Sequence, residues 1–175
     1  LHDALPICLL AITDHNAWAN VAPVVALAAR MGIAVLPWME VQTKEEVHVL
    51  CFLPGLKELQ EVGKEIGRHL PPLENRPEVF GDQIIVDEEE NILSLEDKLL
   101  LSSVDLTLEQ VAQITQAAGG LIIPAHVDRP AFSLLSNLGM VPSGLNVAAL
   151  EISASHDPKM VCREFPELEH YTLVA

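Results

Sequence analysis

The chain has 175 residues, half of them apolar, which is enough for one domain with a sizeable core, and no apolar run approaches the length of a membrane span. Its 25 acidic residues against 10 Lys plus Arg give a formal charge of −15. That balance argues against a free-standing nucleic-acid binder, which should be basic, and is compatible with bound divalent cations.

Cys8, Cys51 and Cys162 stand apart with no C-x-x-C spacing, so neither a disulfide framework nor a zinc knuckle is expected. Reduced, buried thiols in a cytoplasmic protein are the expectation. The opening L-H-D-A-L-P-I has neither the basic region nor the long apolar core of a secretory signal. It coincides with the translation of a common sequencing-library adapter. Residues 1–7 are therefore expected to be a translated artefact, and His2 and Asp3 stay outside the site reasoning.

In chain order, the apolar run from Ile7 through Ile12 suits a strand buried on both faces, and it ends in Thr13-Asp14-His15-Asn16. Asp14 or Asn16 could cap the following helix. Alternatively, the acid and imidazole mark a metal or catalytic site at a strand end, where α/β proteins place their chemistry. Trp18 to Met31 has helical spacing, with Gly32 as its stop. Ile33–Pro37 reads as a short strand with Trp38-Met39-Glu40-Val41 at its end, and Val47–Leu53 as a third strand. Leu56–His69 is an amphipathic helix. Gln83–Leu95 reads as a hairpin whose acidic turn, Asp87 to Glu90, is solvated. Thr107 and Gln110 form a capping-box pattern for a helix to Ala118. Strands at Leu121–Pro124, Val147–Ile152 and Tyr171–Val174 alternate with helices at Ala131–Leu138 and Pro158–Phe165. The alternation implies an α/β fold with a largely parallel sheet, open or closed as a barrel.

The chemistry-bearing residues fall at strand ends. His15 ends the first strand, Glu40 the second, His48 lies in the third, and His126 follows Leu121–Pro124. Neutral imidazole and carboxylate together suit Zn, Mn or Fe and not calcium. A bridging Glu40 would hold two ions, a clamp suited to in-line displacement at phosphorus. Arg129 would clamp a phosphate bidentately or pair with Asp128. Glu151 has a structural reading, with support of the metal ligands as the alternative. His69, His156 and His170 read as surface residues.

The segments A-I-T-D-H-N, P-W-M-E-V, E-V-H-V-L and I-P-A-H-V-D-R-P, in this order, resemble the PHP domain (polymerase and histidinol phosphatase). The resemblance covers the chain from Cys8 onward. It implies a distorted (β/α)7 TIM-like barrel, here incomplete, binding two or three divalent metal ions (Zn, Mn or Fe) in the complete parent domain. It implies a stand-alone metal-dependent phosphoesterase that hydrolyses a phosphate ester by metal-bound hydroxide. By motif, His15, Glu40, His48 and His126 would be metal ligands, and Asp14 would orient an imidazole and fix its tautomer. The family's opening H-x-H and closing D-x-H pairs are not found, so 8–175 is expected to be a partial domain truncated at both ends. Such a fragment should bind metal weakly, turn over poorly and expose two sheet edges. Trp38 stands where similar proteins carry Gly, and would shade the site or stack on a base. A small phosphorylated substrate is expected, with no membrane partner; long nucleic acid is disfavoured and a short oligonucleotide is compatible. The alternatives are a nuclease on short oligonucleotides and a catalytically inert binding module.

Overall fold

The computed structural model describes residues 7–175; the first six, which carry most of the adapter-like stretch, lie outside the described residues. β1 (Leu9–Ala11) pairs in parallel with β2 (Ala34–Leu36), with α1 (Val21–Arg30) between them. Asn20 is the residue preceding α1, so neither Asp14 nor Asn16 caps it, contrary to the simpler of the two expectations. Gly32 ends the turn after α1 at φ +73°, a conformation that costs glycine little.

Pro37 has no N–H to give and interrupts the strand, which resumes as β3 (Trp38–Gln42). β3 pairs with β4 (His48–Phe52), and β4 with β7 (Leu121–Pro124), both antiparallel. The expectation of a largely parallel sheet is corrected here. Residues 43–47 alone join β3 to β4, and a parallel return needs a crossover of a dozen residues or more. The observed architecture is α/β with mixed sheets: β1-β2 and β8-β9 (Leu150–Glu151 with Leu173–Val174) are parallel, and β5-β6 (Ile84–Val86 with Ile92–Leu95) is an antiparallel hairpin. Among the described residues the sheets do not close into a full barrel. β8 lies beside the β7 end, where the Val127 N–H donates to the Glu151 carbonyl at 2.8 Å.

The two faces of β3-β4-β7 differ as the period of two requires. Met39, Val41, Val49, Cys51 and Ile122 face outward and are fully buried. They share one core with Leu59, Val62 and Ile66 of α2 (Leu56–Arg68) and Leu108, Val111 and Ala112 of α4 (Leu108–Ala117). The opposite, inner face carries Trp38, Glu40, Gln42, His48 and Phe52. Thr107 caps α4 in the expected box with Gln110. α3 (Pro77–Phe80) leads into the β5-β6 hairpin, whose turn is held by Asp87 accepting from the Glu89 and Asn91 N–H groups. α5 (Leu134–Leu138) and α6 (Pro158–Glu164) complete the helices, followed by a 3-10 turn at Pro166–His170.

The thiols are not uniformly buried: Cys51 is in the core, Cys162 half-buried and Cys8 exposed at the entry to β1. No helix among the described residues is long and apolar enough to cross a membrane.

Candidate metal centre

Antiparallel pairing brings the site residues together. The end of β3, the start of β4 and the end of β7 lie at one end of the same sheet, which brings His48 and His126 together there with Glu40 two residues back along β3 on the same face. His48 is the first residue of β4 and Glu40 the middle residue of β3; neither is at the carboxyl end of a strand. His15 joins them through an isolated parallel bridge to Glu40. The Glu40 N–H donates to the Asp14 carbonyl at 3.2 Å, and the Asn16 N–H to the Glu40 carbonyl at 2.7 Å.

Asn16 locks this junction. It is buried, with φ +49°, a left-handed conformation that Asn tolerates better than most residues. Its amide nitrogen donates to the carbonyls of Leu100 and Ser102 at 2.8 and 2.9 Å, and its oxygen accepts from the Gln42 N–H at 3.1 Å.

Glu40 is the centre of the cluster. His15 Nδ1 lies 3.3 Å from Glu40 Oε2, His48 Nδ1 3.2 Å from Oε1, and His126 Nε2 3.7 Å from Oε1. One potential ligand atom from each of His15, Glu40 and His48 falls within 4.8 Å of the others. The His48 ring contacts His15 edge-on at 4.7 Å and His126 at 5.1 Å. Burial pushes the Glu40 carboxyl up, but the facing imidazoles of His126, His48 and His15 outweigh it and bring the pKa down to about 2. Burial pushes His15 down, opposed in part by the Glu40 charge. The cluster thus presents a carboxylate beside an imidazole biased toward its neutral form. His126 Nδ1 is buried without a hydrogen-bond partner. This donor set, with an orphaned ring nitrogen in it, fits a divalent transition metal.

His126 sits at φ +34°, a conformation costing on the order of 1–3 kcal/mol. Its N–H donates to Glu151 Oε2 at 2.9 Å, so Glu151 holds the His126 backbone in that conformation. Asp128 does not pair with Arg129. Its Oδ1 accepts from the Ser153 N–H and hydroxyl at 2.8 and 3.1 Å, and its Oδ2 pairs with His156 Nδ1. His156 is exposed, as expected, but anchored; His69 bonds Glu65, and His170 is exposed. Arg129 is exposed and makes no ion pair among the described residues. It lines a concavity of about 410 Å³ together with His15, Glu40, His48, His126 and Phe132.

His15 also borders a second, larger cleft of about 590 Å³, lined by Asp14, Trp18, Leu70, Phe80, Lys98 and Leu100 among others. Asp14 is exposed there and makes no side-chain hydrogen bond to an imidazole among the described residues; partial burial nonetheless raises its carboxyl, against the His15 charge. Trp18 lies on Gly63, where a Cβ would come within 2.0 Å of its indole. Trp38 packs edge-on against Phe52 at 5.6 Å, with its Nε1 buried and unpartnered.

Three residues at the site have no metal-centre role in the sequence reading. Asn16 reads there only as a candidate helix cap. Gln42 stands two residues beyond Glu40, so strand alternation alone places it on the same face. Phe132 stacks on His48 at 5.2 Å and accepts the His48 N–H at its carbonyl, and no local pattern announces it.

No protein-family model matches the chain, and no curated protein matches it by sequence. Solved structures do share its fold. The chain is similar to a lesion-specific endonuclease, PfuEndoQ, from Pyrococcus furiosus, at 20% identity and a TM-score of 0.58 over 88% of this chain. It spans 36% of that enzyme's length. An Endonuclease Q complex with a 27-mer duplex bearing an abasic lesion gives 22% identity and a TM-score of 0.53, over 74% of this chain and 28% of the other. A protein from Bifidobacterium adolescentis ATCC 15703, classed as a metal-dependent phosphoesterase, gives 16% identity and a TM-score of 0.58, over 95% of this chain and 74% of the other.

Proposed function

We propose that this chain carries the catalytic centre of a metal-dependent phosphoesterase of the PHP type, acting on a small phosphorylated substrate in the cytoplasm. The observation that carries the reading is the convergence of His15, Glu40 and His48, with His126 beside them, on one buried carboxylate. Those four residues would hold the metal, with Glu40 able to bridge two of the two or three ions the family resemblance implies. Bound divalent cations in such a site supply Lewis-acid polarisation of phosphate oxygens and activation of water at neutral pH.

The chain's own residues do the rest. Arg129, exposed on the rim and free of a carboxylate partner among the described residues, receives non-bridging phosphate oxygens as a bidentate donor. Asp14 acts through its charge on His15 and lines the adjoining cleft. That cleft, walled by Trp18, Phe80 and Leu100 and lacking a cluster of basic residues, receives the part of the substrate that is not phosphate. A second reading, a nuclease acting on short oligonucleotides, draws support from the same aromatic walls, on which bases stack.

The test is hydrolysis of p-nitrophenyl phosphate and of a dinucleotide by the chain with added Mn²⁺ or Zn²⁺. Metal-dependent turnover that His48→Ala lowers by at least 100-fold supports the reading, and the preferred substrate separates the two versions. Turnover indifferent to both chelator and His48→Ala contradicts it.

A further inference from the structure

We propose that the cleft of about 590 Å³ bordered by His15 is a subsite for a flat, uncharged aromatic group carried by a phosphate monoester, with the bare backbone of α2 at Gly67 as its floor and no place for a second anion. The inference rests on the phosphoesterase reading for the phosphate end of that substrate, though not for the cleft.

The cleft has the size of a small-molecule site. His15 lines both it and the smaller concavity at the metal cluster, so a molecule whose phosphate lies at the cluster can extend past that ring into the cleft. α2 turns two glycines toward it, Gly63 and Gly67, at the i, i+4 spacing of one helix face. Each weakens the helix relative to alanine. Neither has a positive φ, so neither is there to turn the backbone. Gly63 is accounted for by Trp18, whose indole would lie 2.0 Å from a Cβ. Gly67 has no such neighbour: a Cβ there meets nothing within 4 Å. Packing within the chain therefore leaves Gly67 unexplained, whereas close approach of a ligand to the helix backbone accounts for it. The rings of Trp18 and Phe80 and the apolar side chains of Leu70 and Leu100 line the same cleft. Phe80 is exposed, an aromatic ring left in solvent. Aromatic and apolar walls over a flat floor favour a flat aromatic ligand.

Charge decides what else that group can carry. Asp14 and Glu96 line the cleft, and Lys98 is the one lysine or arginine that does so among the described residues. Lys98 is already engaged: its Nζ donates to the Gly67 carbonyl at 2.9 Å. Lys64 and Arg76 lie over the Trp18 and Phe80 rings, 5.9 and 5.7 Å from their centres, but do not line the cleft. A second phosphate or a carboxylate on the substrate would face acidic side chains, with no uncommitted lysine or arginine in the lining among the described residues. Arg129, by contrast, stands in the smaller concavity, where the phosphate ester itself belongs.

The primary test is titration of naphthol into the metal-free chain, read by ¹H–¹⁵N correlation. The expected result is saturable shifts at the Trp18 indole N–H and the Gly67 amide. Absence of shifts at both overturns the proposal without reference to any variant or metal. Hydroxynaphthoate, which adds a carboxylate, should bind about 10-fold more weakly, since it brings a like charge into the cleft. Decalol, the saturated counterpart, should also bind more weakly. Equal affinity for either compound and for naphthol overturns the proposal. Gly67→Leu, which fills the floor, should lower naphthol affinity about 10-fold with circular dichroism unchanged. Unchanged affinity in that folded variant overturns the assignment of the floor. With added Mn²⁺, the unaltered chain should prefer naphthyl phosphate to glycerol phosphate in kcat/KM, and Gly67→Leu should lose that preference. Turnover of both esters without preference overturns the proposal. If naphthol binds as described but neither ester is turned over with any metal, the phosphoesterase reading fails and the cleft assignment stands.

Discussion

At the scale of single residues, burial decides the chemistry more than residue type does. The three cysteines show this directly. Burial pushes the Cys51 thiol from its ordinary 9.0 up to about 12, whereas Cys8 is exposed. The folded pKa lies above the unfolded one, so the benefit of the buried, protonated thiol is fully present below pH 9.0 and is lost as pH rises toward 12. A thiol reagent at pH 8 should therefore label Cys8 quickly in the native chain and reach Cys51 only on unfolding. Equal labelling rates at the two positions would show that the core is not packed as described. Charged and hydrogen-bonding neighbours, acting against burial, separate the carboxylates at the site. Glu40 is held well down by three surrounding imidazoles, while Asp14, with only the His15 charge set against its burial, is raised. Glu40 therefore stays a firm anion at the centre of the cluster, which is what a shared ligand would require.

At the scale of elements, the strand and helix positions were largely legible because local signals were strong. The Thr107-to-Gln110 box, Gly119-Gly120 and the polar turn at Asp87 each act within a few residues, and each appears where expected. The sense of pairing was not legible in the same way, because alternation of strands and helices suggested parallel neighbours. The short 43–47 link was the overlooked signal. It reverses β4 and brings His48, at the strand's beginning, to the site. His15, Glu40, His48 and His126 were visible as candidates because polar residues at the ends of apolar runs stand out. Asn16, Gln42 and Phe132 were not, because their importance comes from partners more than 25 positions away or from stacking across a loop. α2 gives a direct test of how closely the cleft is fitted. Gly63→Ala should clash with Trp18 and destabilise the chain by about 1–3 kcal/mol, with a red shift of tryptophan emission. Gly67→Ala in the same helix meets nothing within 4 Å and should be neutral or stabilising by up to about 1 kcal/mol. Thermal melts that respond alike to both substitutions would show that Trp18 does not rest on Gly63.

At the scale of the whole molecule, one sheet serves two purposes. Its outer face is an apolar core closed by α2 and α4, and its inner face carries Glu40, Gln42 and His48. The core holds the strands in register, and the register sets the distances in the cluster. A one-residue slip of β4 against β3 would turn His48 into the core and a valine toward Glu40. The fold shared with endonuclease and phosphoesterase structures places this arrangement in a known architecture, while the site itself carries the functional argument. The central claim is that the cluster is a metal centre, and the most direct test is calorimetric titration of Zn²⁺ and Mn²⁺ into the metal-free chain and into Glu40→Gln. The expected result is saturable binding by the unaltered chain, with affinity reduced at least 100-fold in Glu40→Gln while circular dichroism stays unchanged. Absence of binding, or binding that survives Glu40→Gln undiminished, would contradict the account.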